Sequence, residues 1–124
     1  MHNNNTPFSV LFMNSFREQQ IDDAFFALSH PVRRKVIEQI SINDMSVAEV
    51  SAPLNETPSQ MTKHIHILER AGMLSRHKEG RTHRLHMEPE PLKEIMEWVS
   101  HYQKFWNKKF DALDEYLHSI SEEK

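Results

Sequence analysis

The sequence predicts a mainly helical fold with one small β-hairpin and a long C-terminal helix, and three observations predict it. Residues 57–72, TPSQMTKHIHILERAG, form a short amphipathic segment with a start signal and a stop signal. Two runs that can alternate as strands, Leu74 to Lys78 and Thr82 to Met87, flank Glu79-Gly80-Arg81, which holds one of only two glycines. From Leu92 to Ile120 apolar residues recur at alternating spacings of three and four, which keeps them on one helical face. A chain of 124 residues is expected to form one domain, and one small enough that an oligomer would help it bury apolar surface. It has no cysteine, which excludes disulfides, thiol catalysis and cysteine metal sites. The apolar run Phe8 to Met13 is too short to span a bilayer and has no positive n-region before it, so the expected location is cytoplasmic.

Taken in order, residues 1–7 read as a polar, frayed tail, with His2 beside an asparagine run and no evident partner. Phe8, Leu11, Phe12 and Phe16 then fall at helical spacing, which suits a short helix laid against another subunit. Arg17 to Gln20 reads as a link, so residues 1–20 are expected to be a flexible or short helical extension and 21–124 the working domain. Ile21, Ala24, Phe25 and Leu28 mark one face of a compact helix. Ser29-His30-Pro31 breaks the chain and starts a second helix, whose buried side is Val32, Val36, Ile37 and Ile40. Arg33, Arg34 and Lys35 fall in its N-terminal half, where cations would be solvated or set against phosphates.

Ser41 to Met45 is a turn or very short strand. Ser46 with Glu49 makes a capping box that opens a short helix from Val47 to about Ala52, and Pro53 stops it. Leu54-Asn55-Glu56 then leads into Thr57, which forms a second capping-box pattern with Gln60, with Pro58 at the first helical position. Met61, Ile65 and Leu68 face inward, Ser59, Gln60, Lys63, His64 and His66 face out, and Gly72 ends the helix in the left-handed conformation. A short helix, a tight turn and a second capped helix make a helix-turn-helix, and a hairpin after it makes a wing. Hydroxyl, amide and cationic groups on the second helix suit phosphates and base edges in a DNA major groove. Arg76, Lys78, Arg81 and Arg84 make the hairpin a cationic arm suited to phosphates or a minor groove.

The net charge of −3 runs against a nucleic-acid partner, but its distribution runs the other way. Residues 1–29 carry one arginine against three acids, 30–87 nine lysines and arginines against six acids, and 88–124 five lysines against nine acids. The basic middle also holds six of the nine histidines. After the acidic boundary Glu88 to Pro91, the long helix carries Leu92, Ile95, Val99, Tyr102, Trp106, Leu113, Tyr116 and Ile120 on one seam. Lys109 interrupts the seam, and Trp98, Phe105, Phe110 and Leu117 widen it. This stripe is broader than one small core needs, so part of it is expected to pack on the same helix of a second copy. Val99, Tyr102, Trp106 and Leu113 are the expected interface residues.

Order and motifs together resemble the ArsR-type winged helix-turn-helix transcriptional repressors over about residues 21–120. The resemblance is carried by Phe26-Ala27-Leu28-Ser29-His30-Pro31-Val32-Arg33-Arg34, by Met61-Thr62-Lys63-His64-Ile65 through Ala71-Gly72-Met73-Leu74, and by the wing from Arg76 to Leu85. It implies a homodimeric repressor that binds double-stranded DNA at a near-palindromic operator. Its recognition helix maps onto Pro58 to Ala71, which makes Ser59, Gln60, Thr62, Lys63 and His64 base-edge and phosphate candidates. Arg33, Arg34, Arg76, Lys78 and Arg81 complete the expected DNA-binding set. Three positions depart from the family pattern: His30 stands where an aspartate is usual, Thr62 where a serine is, and His83-Arg84 where the wing tyrosines are.

Many members of that family sense metals, yet the Cys-x-Cys position on the short helix is occupied here by Ser46 and Ala48. The family's Asp-x-His pattern on the last helix finds Val99 ahead of His101, and His118 lies roughly 25 Å further along that helix. A zinc site completed across a dimer by His101 or His118 with Asp114 or Glu115 is left open, but no metal and no cofactor is expected. A small-molecule inducer is left open as well. Two other function classes compete. One is a winged-helix module that binds protein instead of DNA, motivated by the acidic total and the unusual wing. The other is a hydrolase using the histidines, which no strained-turn nucleophile motif supports, so the chain is not expected to be an enzyme.

Overall fold

The computed structural model describes the backbone of residues 8–122 and side chains from residue 16 to 122. The polar tail with His2 lies outside the described residues, as do the side chains of Phe8, Leu11 and Phe12. The chain runs α1 (Phe8–Ala27), α2 (Pro31–Ile42), β1 (Met45–Ser46), α3 (Val47–Ser51), α4 (Pro58–Arg70), β2 (Leu74–Glu79), β3 (Thr82–Met87) and α5 (Glu90–Glu122). The link expected at Arg17 to Gln20 is helical, and α1 runs through it unbroken. No proline or glycine interrupts residues 8–27, and Arg, Glu and Gln favour helix, so nothing ends it there. Phe25, expected on the buried face of α1, is exposed instead. Ala24 and Ala27 are the buried pair, and the Phe25 ring stands edge-on to Trp98 at 5.8 Å.

Helix ends follow the local chemistry. The imidazole of His30 takes the place of a carboxylate cap, since Val32 N donates to its Nδ1 at 3.1 Å. In α3 both halves of the capping box form, Glu49 N to Ser46 Oγ and Ser46 N to Glu49 Oε1. The bond from Ser46 N also holds the Glu49 carboxyl below its ordinary pKa. At α4, Gln60 N donates to Thr57 Oγ1 at 3.2 Å. The other end of α4 closes in a Schellman motif. Met73 N bonds to Leu68 O and Gly72 N to Glu69 O, with Gly72 at φ +74.

The three strands form one antiparallel sheet in the order β1-β3-β2. Glu79 pairs with Thr82, so the wing turns on two residues, Gly80 and Arg81. Gly80 comes first at φ +63, the place where a type II′ hairpin turn needs a positive φ. Under the sheet, α2, α3 and α4 close a core of Val36, Ile40, Val50, Met61, Ile65, Leu68, Met73, Leu74 and Leu85, with Ala24 and Ala27 from α1. Leu92 and Ile95 bring the start of α5 onto that core. Beyond them the helix leaves the domain, and no residue of α5 is buried. At 1.5 Å per residue it is about 50 Å long. Among the described residues no helix is long and apolar enough to cross a membrane.

Candidate nucleic-acid interface

Helix α4 carries five of the candidate residues, Ser59, Gln60, Thr62, Lys63 and His64. Met61, Ile65 and Leu68 are buried, which fixes the rotation of the helix and leaves Ser59, Gln60, Thr62 and Lys63 exposed on its first two turns. Ser59, Thr62, Lys63 and His66 lie at i, i+3, i+4 and i+7 and so share one face. Two of the hydroxyls are already engaged: Thr62 Oγ1 donates to Pro58 O at 2.9 Å, and Ser59 Oγ lies 3.4 Å from Thr57 Oγ1. Each oxygen keeps acceptor capacity toward an incoming donor.

His64 and Arg33 were expected on exposed faces, and the structure turns both inward, at 7% and 6% exposure. The helical period accounts for it. His64 stands three residues after Met61 and four before Leu68; Arg33 stands three before Val36 and four before Ile37. Both therefore lie on the apolar faces that meet between α2 and α4. The guanidinium of Arg33 donates through Nε to Ala27 O at 2.7 Å and through Nη2 to Phe26 O at 3.1 Å and Ser29 Oγ at 3.3 Å. Its Nη1 lies 3.2 Å from His64 Nδ1, and the His30 ring lies 4.4 Å from that of His64. Burial lowers the pKa of Arg33. It also lowers that of His64, to which His30 and Arg33 add their charge. Neither side chain lies on the exposed face of its helix. Arg34 is exposed, and its Nη1 donates to Leu28 O at 2.7 Å, which leaves one edge of the guanidinium outward.

On the wing, Lys78 and Arg81 are exposed at and beside the turn. Arg76 is half-buried, with Nε 3.3 Å from Glu69 Oε2, and so ties β2 to α4. Arg84 is held near the sheet edge by Asp44 O at 2.8 Å and Glu49 at 3.8 Å. On the same edge His86 Nδ1 lies 2.8 Å from Asp44 Oδ1, a bond that raises its pKa. Arg84 and the His86–Asp44 pair thus brace β1 against β3, a role the sequence did not suggest because the partners are about forty residues apart. Among the described residues no three His, Asp or Glu side chains gather as metal ligands would.

The α5 face carries Trp98, Val99, Tyr102, Phe105, Trp106, Phe110, Leu113, Tyr116 and Leu117, each about half exposed. Its upper part bounds an open cavity of about 670 Å³ lined by Ile95, Trp98, Val99, Tyr102 and Trp106 among others. The cation of Lys109 lies 4.9 Å from the centroid of the Phe105 ring, which accommodates the one charge in the seam.

A family model described as a helix-turn-helix domain matches residues 28–77, the span from the end of α1 into β2. The transcriptional repressor SdpR of Bacillus subtilis (strain 168) is 23% identical over 82 residues, which cover 66% of this chain and 91% of that protein. An ArsR-like transcriptional regulator from Rhodococcus sp. RHA1 shares the fold, with a TM-score of 0.62 at 19% identity over 79% of this chain and 92% of that one. The crystal structure of an ArsR family transcriptional regulator is 32% identical, with a TM-score of 0.67, and the match covers 73% of this chain and 93% of that chain. These are transcriptional regulators and not enzymes. With its capped helix-turn-helix, its glycine-turned wing and this level of identity over nearly the whole of a relative, the chain belongs to the ArsR family of winged helix-turn-helix transcriptional regulators.

Proposed function

We propose that the protein is a homodimeric, cytoplasmic repressor that binds a near-palindromic operator, with α4 in the major groove and the wing on the flanking backbone. One observation carries the reading: the helix whose inward face is locked by Met61, Ile65 and Leu68 presents Ser59, Gln60, Thr62 and Lys63 outward. Gln60 has the reach to meet base edges, while Ser59, Thr62 and Lys63 suit phosphate oxygens. Arg34, Lys78 and Arg81 add cations for the backbone, and Arg76 supports the wing from its base. Residues 21–124 act as the DNA-binding unit, with 1–20 as an extension continuous with it through α1. Two copies join through α5, with Val99, Tyr102, Trp106 and Leu113 in the contact, and a small-molecule inducer is compatible with the cavity there.

The test is selection of bound duplexes from a random pool at two salt concentrations. An enriched inverted repeat whose half-sites lie about one helical turn apart (about 10 bp), or a multiple of it, is the expected result. A folded, dimeric protein that enriches nothing at low salt would instead support a winged-helix module that binds protein.

A further inference from the structure

Among the described residues, Arg33 and His64 are the only ionisable side chains that are buried, and the proposed contact set uses neither. Arg33 is fixed from one side. Three of its bonds run to the end of α1 and the turn after it, and the guanidinium carbon lies 5.2 Å from the centroid of the Phe26 ring. Its one hydrogen-bond partner on α4 is His64 Nδ1, at 3.2 Å. Arginine has donors only, so this bond forms only if Nδ1 is bare, which puts the proton of the neutral ring on Nε2. Lys63 is the next residue along the chain, and Gln60 lies one turn before it on the same helix. A shift of His64 therefore carries the exposed row with it.

We infer that Arg33 and His64 are positioning residues for the recognition helix, a brace between the α1–α2 turn and α4 that holds only while His64 is neutral, so that proton uptake at His64 loosens α4 and weakens DNA binding. The inference rests on the function proposed above. Protonation would set a donor against the donor of Arg33 and place a second cation beside the guanidinium. The surrounding charged and titratable groups are His30 and Arg33 from the start of α2, which both disfavour the imidazolium, and Glu56 ahead of α4, which opposes them. Burial acts first and in the same direction as His30 and Arg33. Because the folded state disfavours the protonated ring, the brace is at full strength above the ordinary histidine pKa of about 6.5 and is lost only as pH falls through the lower value that the folded site imposes.

The experiment compares the wild type with His64→Asn and His64→Leu at about pH 7.5 and at steps down to about pH 4.5, so that the series passes through the lowered value. Asparagine places its Oδ1 near the position of Nδ1 and cannot titrate, whereas leucine fills space without an acceptor. Two readouts are taken on the full chain: affinity for the duplex selected by the wild type, and amide-exchange protection of α4 without DNA. Other exposed histidines, His66, His77 and His83, lie on α4 and the wing, so the decisive quantity is the ratio between variants and not the wild-type trend alone. At the higher pH, His64→Asn is expected to bind about tenfold more tightly than His64→Leu, the worth of one charge-assisted hydrogen bond. On acidification the wild type should lose about tenfold relative to His64→Asn, with α4 protection falling in the wild type alone. Parallel pH profiles for wild type and His64→Asn, in affinity and in protection, would overturn the brace. Failure of the wild type to bind any duplex would overturn the DNA-binding reading instead, and the protection arm still decides the brace.

Discussion

Lys63 and Arg33 are both cations of the basic middle segment, yet burial gives them different work. Lys63 is exposed on the outer face of α4, and Arg81 is exposed in the wing turn. A lysine that meets a phosphate releases about one counterion on binding, so Lys63→Ala is expected to weaken binding to all duplexes alike and to lower the salt slope by about one. Arg81→Ala is expected to do the same from the wing. Titration of each variant against specific and random duplexes across a salt series checks both. Unchanged affinity and slope in both variants would remove these residues from the contact set. Arg33 has no such role in prospect: its guanidinium is spent on Ala27 O, Phe26 O, Ser29 and His64.

Helix α4 owes its length to its two ends. Thr57 closes the first turn, and Gly72 closes the last in a conformation that an L side chain adopts at a cost. A Cβ at Gly72 would meet only Pro91 Cγ at 3.8 Å, an ordinary contact, so the penalty at that position is conformational and not steric. Gly72→Ala is therefore expected to lower stability by about 1 kcal/mol, with Gly72→Asn costing less because asparagine tolerates the left-handed region. Urea unfolding of the two variants checks the order; equal stability of Gly72→Ala and wild type would contradict it. These end signals were legible in the sequence because they are local: a cap, its partner three residues on, a glycine. Gly80 was legible for the same reason. The inward turn of His64 was less so, since an outward histidine reads naturally beside Lys63 and His66. The spacing from Met61 and Leu68 carried the signal, but its partner Arg33 is thirty-one residues away and shows only once α2 and α4 meet. The supposed link at Arg17 to Gln20 misled because a polar stretch marks a solvent-facing turn of helix as readily as a break.

At the scale of the molecule, α5 is the element that its own domain does not account for. Its first turns rest on the core through Leu92 and Ile95, and Trp98 meets Phe25 of α1. From Val99 onward it continues with tryptophan, tyrosine, phenylalanine and leucine side chains about half exposed. An apolar stripe of that extent is rarely left to water in a monomer. Covering it with the same stripe of a second copy would bury aromatic surface at about 25 cal/mol per Å² and relate two α4 helices by a two-fold axis. A near-palindromic operator requires that arrangement, since each half-site takes one α4. Trp106→Glu places a charge at the middle of the expected contact without touching the core or α4. The variant is expected to sediment as a monomer of about half the wild-type mass, to keep its helical circular dichroism over the winged domain, and to bind a two-half-site duplex with the weak affinity of a single half-site. Sedimentation and duplex binding measured on the same samples separate the alternatives. A variant that stays dimeric moves the contact away from the Val99–Leu113 face, whereas a monomer that still binds the full operator at wild-type affinity uncouples dimerisation from recognition.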